Sequence, residues 1–358
     1  DTLVGVIIGR ALQGMGAIAA AILALAADIT RDSQRSKVMA TIGMCIGLSF
    51  ALALVLGPLL GAQIGLSGLF YFTAVSALMG IVILQWAVPK VAQKSSRGDL
   101  VPLARELSQL FKHPQLIRLN IGVLVLHCVL TAFFVVVPLQ LIHGGLAANH
   151  HAWLYLPTLL GSFALMIPML INAERQRRHP QYFRIGIFLL IVAVAVIVFV
   201  PAHWVYLAVA VVLFFTGFNL LEASLPSSLT RFAPAGNKGS ASGIYATFQF
   251  LGAFLGGALG GAIMQYFGLV GVGIFCLVLL LFWFAVSFGM QPPPQHQSVS
   301  YTLPKLTAAE VDGLAEQLSH VAGVEEVRVV ADDQTVYLKV HKTDYNDEQV
   351  KAYLSPYQ

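Results

Sequence analysis

The stretch IGRALQGMGAIAAAILALAA, residues 8–27, is long and apolar enough to cross a membrane, yet it carries Arg10 near one end. A membrane-spanning helix needs about 20 predominantly apolar residues. No acidic residue lies between Asp1 and Asp28, so Arg10 has no acidic partner within its own helix. A central arginine costs about 2.5–3.5 kcal/mol on insertion scales, and we therefore expect Arg10 to face protein or a water-filled cavity.

The composition of the whole chain indicates an integral membrane protein. Its 358 residues are 57% hydrophobic and only 11% charged, whereas soluble domains carry about 25% charged residues. Residues 298–358 hold ten acidic and five basic side chains, while the rest of the chain holds seven and sixteen. This asymmetry predicts a membrane region followed by a small acidic soluble domain, and membrane loops explain the basic excess without a nucleic-acid partner.

We predict nine membrane spans from the apolar runs of the sequence. The connections after the first, third, fifth and seventh spans contain Lys or Arg, and the other connections contain neither. The positive-inside rule places the charged connections in the cytoplasm, together with the C-terminus. The predicted spans are residues 3–27, 38–62, 67–88, 117–142, 152–171, 183–201, 203–229, 240–266 and 269–290.

The chain divides into five predicted segments. The first and third hold three and six spans, and the second is a cytoplasmic loop. In that loop Leu103, Leu107 and Leu110 recur at helical spacing beside charges, which predicts a short amphipathic helix at the membrane surface. The fourth segment contains QPPPQ and is typical of a stiff linker. The segments are residues 1–88, 89–116, 117–290, 291–297 and 298–358.

The last segment is predicted to be a small α+β domain. Thr307 precedes Glu310 as in a capping box at the start of a helix. The stretches VEEVRVV and TVYLKVH alternate apolar and polar residues as strands do, and a final helix begins near Asn346. The order β-α-β-β-α is most of a ferredoxin-like unit. The predicted fold class is therefore an all-α polytopic membrane protein with a small α+β cytoplasmic domain.

The membrane region contains an internal repeat. ITRDSQRSKVMATIG at 29–43 and LTRFAPAGNKGSASGIYATF at 229–248 each join an apolar span to a glycine-rich one, with Arg31 and Arg231 at matching positions. Parallel repeats of six spans, related by an axis along the membrane normal, characterise one large class of transporters. By this comparison the first repeat has three spans fewer than the second.

Two motifs now carry a resemblance to the major facilitator superfamily. GRALQGMGAIAAA, residues 9–21, resembles the arginine-glutamine-glycine motif in the fourth span of these transporters. GPLLGA at 57–62, with Gly43 and Gly47 upstream, is similar to the fifth-span glycine-proline motif of their drug:proton antiporters. The resemblance covers residues 1–290.

The resemblance implies the major facilitator fold with nine of twelve spans present, the first three being absent. It implies proton-coupled efflux of small lipophilic or drug-like molecules by alternating access. The C-terminal unit resembles a heavy-metal-associated-type domain, but it contains no CxxC pair, and we expect no metal site and no cofactor.

Arg10 and Gln13 are the first candidates for the transport path. Gln13 lies three residues after Arg10 and therefore on the same helix face. The functional hypothesis is a polar patch that lines the path and positions a proton-carrying acid or an anionic group. The alternative is an arginine that snorkels to the outer membrane surface.

Glu222 is the acidic residue that we place deep inside a span. It precedes Arg231 by nine residues, or about 13 Å at 1.5 Å per residue. A carboxyl group in low dielectric favours its neutral form and can carry a proton, as a relay requires. Asn219 lies at i−3 and is predicted to share its face. The alternative is a structural acid that is satisfied by hydroxyls such as Ser224 or by a helix N-terminus.

Three further side chains are weaker candidates for the same cavity. His127 lies in the middle of a predicted span, and histidine titrates near physiological pH. A hydrogen-bonded packing histidine is the alternative reading. Tyr245 and Gln249 are spaced i and i+4, so both belong to one helix face.

A set of small residues is predicted to bring helices close together or to gate them. Glycines admit a neighbouring backbone, and proline removes one helical hydrogen bond. Gly252, Gly256 and Gly260 form the matching ridge in the second repeat. By the family resemblance Asp28 pairs with the absent signature loop between the second and third spans and latches the outward-facing state; an ordinary helix end is the alternative. The gating and packing candidates are Gly14, Gly16, Asp28, Gly57, Pro58 and Gly61.

The sequence predicts a secondary transporter in a bacterial inner membrane and no enzyme. It contains no GxxxxGKS/T loop for ATP and no Ser/His/Asp or metal-ligand cluster. The expected partners are membrane lipid, a small-molecule substrate and protons, with self-association through the C-terminal domain and no nucleic acid. The alternatives are an exporter of sugars or other metabolites in the same superfamily, and a non-transporting membrane sensor that signals through the C-terminal domain.

Overall fold

The computed structural model describes residues 3–14, 32–88, 108, 110–234, 237–294, 296–303, 310–330, 334–341 and 345–357. The chain forms two compact units, Asp1–Lys94 and Ser95–Gln358. Helices dominate both, and the second unit ends in a small three-stranded sheet.

The first unit contains helices α1 (Leu3–Gly14) and α2 (Asp32–Trp86). Gly65 interrupts α2 with a left-handed backbone conformation (φ 69°, ψ −179°), which only glycine adopts without strain. Helix α2 is therefore two helices joined at a kink, and the kink falls between the predicted spans 38–62 and 67–88. The stretch Leu59–Trp86 is 28 residues long and apolar enough to cross a membrane.

The second unit contains five long apolar helices. Gly268 (φ 63°, ψ −164°) breaks the last of them into two arms, as Gly65 does in α2, and the break lies between the predicted spans 240–266 and 269–290. In the described part of the chain, all five helices are long and apolar enough to cross a membrane. The helices are α3 (Pro114–His143), α4 (His151–Arg175), α5 (His179–Phe199), α6 (Trp204–Phe232) and α7 (Lys238–Ser287).

Polar residues and proline define where these helices begin. Pro114 occupies the first position of α3, where its missing N–H costs no hydrogen bond, and the His113 ring accepts from the backbone N–H of Leu116 at 3.4 Å. The His203 ring accepts in the same way from Val205 N at 3.3 Å, at the start of α6. These caps fix the ends of two helices that reach the membrane interior.

Helix α3 packs closely against the first arm of α7. A Cβ atom at Gly252 or Gly256 would overlap the backbone carbonyl oxygens of Leu124 and Cys128. The Thr131 hydroxyl of α3 donates to the carbonyl oxygen of Ala253 at 3.0 Å. A Cβ at Gly260 would lie 3.2 Å from the Ala132 Cβ. The predicted small-residue ridge of the second repeat is therefore confirmed as a helix contact.

Aromatic packing fills the interior between α3 and α6. The rings of Phe133 and Phe214 stack with centroids 3.7 Å apart, and Phe214, Phe215 and Trp283 are completely buried. Glycine also brings α5 against α6, because a Cβ at Gly217 would lie 2.6 Å from the Gly186 carbonyl oxygen. The described side chains that surround the candidate site are thus held by contacts between four helices.

The C-terminal part contains β1 (His296–Thr302), α8 (Val311–Ser319), β2 (Val324–Val330), β3 (Thr335–His341) and α9 (Asp347–Leu354). Strand β3 lies in the centre of the sheet and pairs antiparallel with β1 and β2, so the outer two strands run parallel. Helices and sheet enclose an apolar core that includes Leu314, Leu338 and Leu354. Asn346 caps α9 by accepting from Glu348 N and Gln349 N at 3.1 and 3.2 Å.

Several predictions fall on residues outside the described part of the chain. Gly16 and Asp28 belong to this group, as does the segment 89–107 with Leu103 and Leu107. Leu110 is described and is 2% exposed. Thr307 of the predicted capping box is also outside, and α8 begins at Val311 with no side-chain cap from Glu310.

Candidate functional site

Three polar side chains from three helices meet inside the second unit. The Gln249 amide of α7 donates from Nε2 to the Glu222 Oε1 of α6 at 3.3 Å. The same nitrogen lies 2.9 Å from the His127 Nε2 of α3. His127 Nε2 in turn lies 3.7 Å from Glu222 Oε2. We call Glu222, Gln249 and His127 the polar cluster.

Hydrogen-bond geometry determines the tautomer of His127. Its Nδ1 lies 3.2 Å from the carbonyl oxygen of Val123, which can only accept, so Nδ1 carries the hydrogen. Nε2 then has a lone pair that accepts from the Gln249 amide. Both amide hydrogens of Gln249 are thereby used, one on His127 and one on Glu222. Gln249 therefore bridges the two groups that can take up a proton.

The polar cluster lies among apolar side chains but is not equally closed at each member. The His127 ring meets the Phe218 ring edge to face, with centroids 5.8 Å apart. The side chain of His127 is 12% exposed and that of Glu222 is 36% exposed. Of these two side chains, Glu222 is therefore the more accessible from outside the cluster.

Two oxygen atoms of the site have no hydrogen-bond partner among the described residues. They are Glu222 Oε2 and the Tyr245 hydroxyl, and both are buried. Ser224 does not satisfy Glu222, because its hydroxyl donates to the Leu220 carbonyl oxygen at 2.6 Å. Buried polar atoms usually have partners. Tyr245 precedes Gln249 by one helical turn, so this face of α7 presents two polar side chains.

Asn219 does not join the polar cluster. Its amide donates to the Ser162 hydroxyl of α4 at 3.2 Å, and that hydroxyl donates to the Leu159 carbonyl oxygen. Asn219 therefore contacts α4 rather than Glu222, and its place on the transport path stays a prediction. Three residues turn a helix by about 300°, which leaves a 60° offset, and here that offset points Asn219 towards a different helix.

In the first unit, Arg10 and Gln13 form a pair within α1. Arg10 Nη1 donates to Gln13 Oε1 at 2.9 Å, and the Arg10 guanidinium lies 5.4 Å from the centroid of the Phe70 ring. Both side chains are exposed. The predicted shared face is confirmed, whereas no carboxylate within the described residues pairs with Arg10, and its role in the path stays a prediction.

The glycines of the first unit differ from those of the second. A Cβ at Gly61 would lie 3.4 Å from the Leu69 Cδ1, an ordinary contact. At Gly14 and Gly57 no described atom lies within 4 Å of a Cβ. Pro58 lies inside the helical part of α2. Close helix approach at this motif accordingly stays a prediction.

An ion-pair group at the helix ends was missed by the sequence predictions. Glu174, near the end of α4, pairs through Oε1 with Arg231 at 3.0 Å and through Oε2 with His179 at 3.2 Å. These residues join the ends of α4 and α6 to the start of α5. The sequence signal was available, because Glu174 is the acidic residue of a connection that contains Arg175, Arg177 and Arg178, among others.

The small domain contacts the membrane helices through polar side chains. Arg328 of β2 donates to Asn237 Oδ1, at the start of α7. Beside this contact lies a cavity of about 350 Å³. Burial lowers the pKa of His113, and the Lys339 ammonium lowers it further. The cavity is lined by His113, Arg231, Phe232, Pro294, Glu325, Glu326 and Lys339.

Comparison with known proteins identifies the family. The sequence matches the Major Facilitator Superfamily over residues 2–257 and 160–310. It is 38% identical over 340 residues to the inner membrane transport protein YajR of Escherichia coli (strain K12), covering 95% of this chain and 75% of that protein.

Two relatives from Buchnera aphidicola are less similar to this chain. An uncharacterized transporter of Buchnera aphidicola subsp. Acyrthosiphon pisum (strain APS) is 28% identical over 254 residues, 70% of this chain and 65% of that protein. Another, from Buchnera aphidicola subsp. Schizaphis graminum (strain Sg), is 28% identical over 289 residues, 80% of this chain and 74% of that protein. The chain therefore belongs to the major facilitator superfamily, whose members are membrane transporters and not enzymes.

Proposed function

We propose that this transporter exports small lipophilic or drug-like molecules in exchange for protons, by alternating access of its two halves. The polar cluster is the observation that carries the proposal. A carboxyl group and an imidazole lie 3.7 Å apart, and an amide is hydrogen bonded to both. A proton-coupled carrier needs a group inside the membrane that takes up and releases a proton, and polar residues there usually mark ion or substrate pathways.

A proton that enters the polar cluster changes its hydrogen bonds. If Glu222 takes up the proton on Oε2 and donates it towards His127, the lone pair on Nε2 is no longer available to Gln249. If the proton moves on to His127, Nε2 becomes a donor and the Glu222 carboxylate becomes its acceptor. In both states the hydrogen bond that the Gln249 amide donates to His127 is lost. Protonation therefore releases a link between α7 and α3.

The released link lies next to the closest contact between these helices. Gln249 precedes Gly252 by three residues, and at Gly252 the two backbones nearly touch. A change in the orientation of Gln249 alters the packing of α3 on the first arm of α7. The ion pairs of Glu174 hold the C-terminal ends of α4 and α6 together. Protonation of the polar cluster and these ion pairs therefore act on the same group of helices.

We further propose that the protein resides in a bacterial inner membrane with its charged connections and C-terminal domain in the cytoplasm. The positive-inside rule supports this orientation, and the Escherichia coli relative is named an inner membrane transport protein. The C-terminal domain is proposed to be ferredoxin-like and to regulate transport or mediate self-association. The bond between Arg328 and Asn237 supports a regulatory contact.

Transport driven by a pH gradient in proteoliposomes tests the proton coupling. The purified chain is reconstituted, a pH gradient is imposed across the membrane, and export of a fluorescent lipophilic cation is followed. We expect gradient-driven transport by the wild type and its loss in Glu222→Gln, which cannot ionise but keeps the size of the side chain. Glu316→Gln, in the exposed part of α8, is the matched control and is expected to transport normally.

Three outcomes would contradict the proposal. Unchanged gradient-driven transport in Glu222→Gln would remove Glu222 from the coupling step. Transport that proceeds without any proton movement in the wild type would favour a uniporter, such as an exporter of sugars. A chain that moves no substrate under either condition would favour the membrane sensor.

A further inference from the structure

A groove on the lipid-facing surface of the second unit combines an arginine with exposed aromatic side chains and lies apart from the polar cluster. It lies between α5 and the end of α7 and has a volume of about 450 Å³. Its walls are mostly apolar and aromatic, and Phe188 and Phe288 are 55% and 63% exposed. The lining residues are Gln181, Arg184, Ile185, Phe188, Phe284 and Phe288.

Arg184 is the charged residue of the groove, and it is held in place. Its guanidinium carbon lies 5.1 Å from the centroid of the Phe288 ring, a cation–π contact. Phe284 packs edge to face on Phe288 with centroids 5.3 Å apart and supports that ring. Among the described residues, no carboxylate lies within 4 Å of the Arg184 guanidinium.

The position of Arg184 along α5 means that a negatively charged partner would stabilise it. It follows the first residue of α5 by five positions, or about 7.5 Å along the helix at 1.5 Å per residue. It is half-buried, whereas Arg175, Arg177 and Arg178 in the preceding connection are exposed. An arginine inside the membrane boundary is stabilised by a partner of opposite charge. Because a ring covers one face of the guanidinium, its in-plane N–H groups remain for an acceptor.

We propose that this groove binds one anionic phospholipid, with its phosphate on Arg184 and an acyl chain along the aromatic wall. The planar guanidinium fork matches two phosphate oxygens, and Gln181 lies one turn earlier on the same face as a second donor. The groove opens on the lipid-facing surface of two membrane helices, so an acyl chain is available there. The three exposed arginines nearby favour a net negative headgroup over a zwitterionic one.

Lipid-dependent thermal stability of the purified chain in detergent tests the site. Phosphatidylglycerol, cardiolipin and phosphatidylcholine are added at equal phosphate concentration, and the unfolding temperature is measured for each. We expect the two anionic lipids to raise the unfolding temperature more than phosphatidylcholine. In Arg184→Gln their apparent affinity should fall by about tenfold, in line with the loss of hydrogen bonds to a charged group. Arg178→Gln removes the same charge outside the groove and is expected to keep the response.

Further variants separate charge from packing. Arg184→Lys keeps the charge without the planar fork and is expected to retain part of the preference for anionic lipids, even if Arg184→Gln folds poorly. Ile185→Trp fills the groove without changing its charge and should weaken the response to both anionic lipids. The proposal is overturned if Arg184→Gln and Arg184→Lys both respond as the wild type does, or if phosphatidylcholine stabilises equally. It is also overturned if inorganic phosphate alone gives the same Arg184-dependent shift, which would indicate a site for free anions.

Discussion

The two units of the molecule each contain a polar site in an apolar helix, and the sites are built differently. The pair of Arg10 and Gln13 lies within α1, three residues apart, and both side chains are exposed. The polar cluster joins His127, Gln249 and Glu222 across three helices, and the first two are 122 positions apart in the sequence. A pair on one helix keeps its geometry when helices move, whereas a cluster shared by three helices does not. The geometry of the polar cluster therefore depends on how these three helices pack, as the proposed proton coupling requires.

The glycines repeat this contrast. Gly252 and Gly256 bring α7 so close to α3 that no Cβ fits, while Gly57 has no described atom within 4 Å of a Cβ. Gln249 of the polar cluster belongs to the same stretch of α7 as the close contact. The polar cluster and the close contact between α3 and α7 are thus adjacent in the second unit. Separate substitutions in each can measure what each contributes to stability.

The largest effect is expected from Gly256→Val. The new side chain would overlap the Cys128 carbonyl oxygen and the Thr131 hydroxyl, so α7 has to move away from α3. Overpacking of a core costs about 1–3 kcal/mol and occasionally more, and backbone overlap places this variant at the upper end. Thermal unfolding in detergent measures it. Gly57→Ala is the control and should not lower stability, because alanine is favoured over glycine in a helix interior by about 0.5–1 kcal/mol. An equal loss in the control would abolish the contrast between the two ridges.

A smaller effect distinguishes the two polar sites. Double-mutant cycles are made for His127→Ala with Gln249→Ala, and for Arg10→Ala with Gln13→Ala. Side chains that share a buried hydrogen bond couple by about 0.5–3 kcal/mol, whereas exposed i,i+3 pairs contribute about 0.2–0.5 kcal/mol. Reversible unfolding in detergent gives both coupling energies. Equal values for the two pairs would show that placing the partners on different helices does not increase their coupling energy.

Much of the fold follows from the sequence because membrane helices are defined by composition. The breaks at Gly65 and Gly268 lie between predicted spans, since the polar or glycine-rich turns there interrupt an apolar run. The small-residue ridge at Gly252 and Gly256 was also predictable, because its i,i+4 spacing is a local property of one helix. Such local features need no knowledge of the partner helix.

The partners within the site could not be predicted in the same way. Glu222, His127 and Gln249 were each candidates, but their contact depends on how three helices rotate about their axes. Asn219 illustrates the difficulty, because an offset of three residues was enough to pair it with Ser162 of another helix. Glu174 was recognisable as an acidic residue beside several arginines, but its partners Arg231 and His179 were not, since they come from other helix ends.

The smallest effect is expected for Asp347 of the C-terminal part, because solvent weakens the interactions of an exposed carboxylate. Asp347 accepts from the Lys351 ammonium at 2.6 Å, from the Tyr301 hydroxyl, and from the Tyr345 hydroxyl at 3.2 Å. The Lys351 bond, followed by the Tyr301 bond, holds the pKa of Asp347 below its usual value. A carboxyl with a lower pKa in the folded state stabilises the fold above its unfolded pKa, about 3.9, and this contribution is lost as the pH falls through the folded value.

Hydrogen exchange of the β1 and β3 amides in the intact chain measures this effect between pH 6 and pH 3. We expect protection to fall in the wild type below about pH 4, where the unfolded carboxyl binds protons and the folded one then follows. Asp347→Asn should start with weaker protection and show a flatter pH profile. Glu348→Gln removes a neighbouring exposed carboxylate and should keep the wild-type profile. Because Asp347 is 47% exposed, solvent screens its bonds. A free-energy loss from the exchange data as large as the roughly 1–3 kcal/mol expected for Gly256→Val would contradict the proposed order of effects.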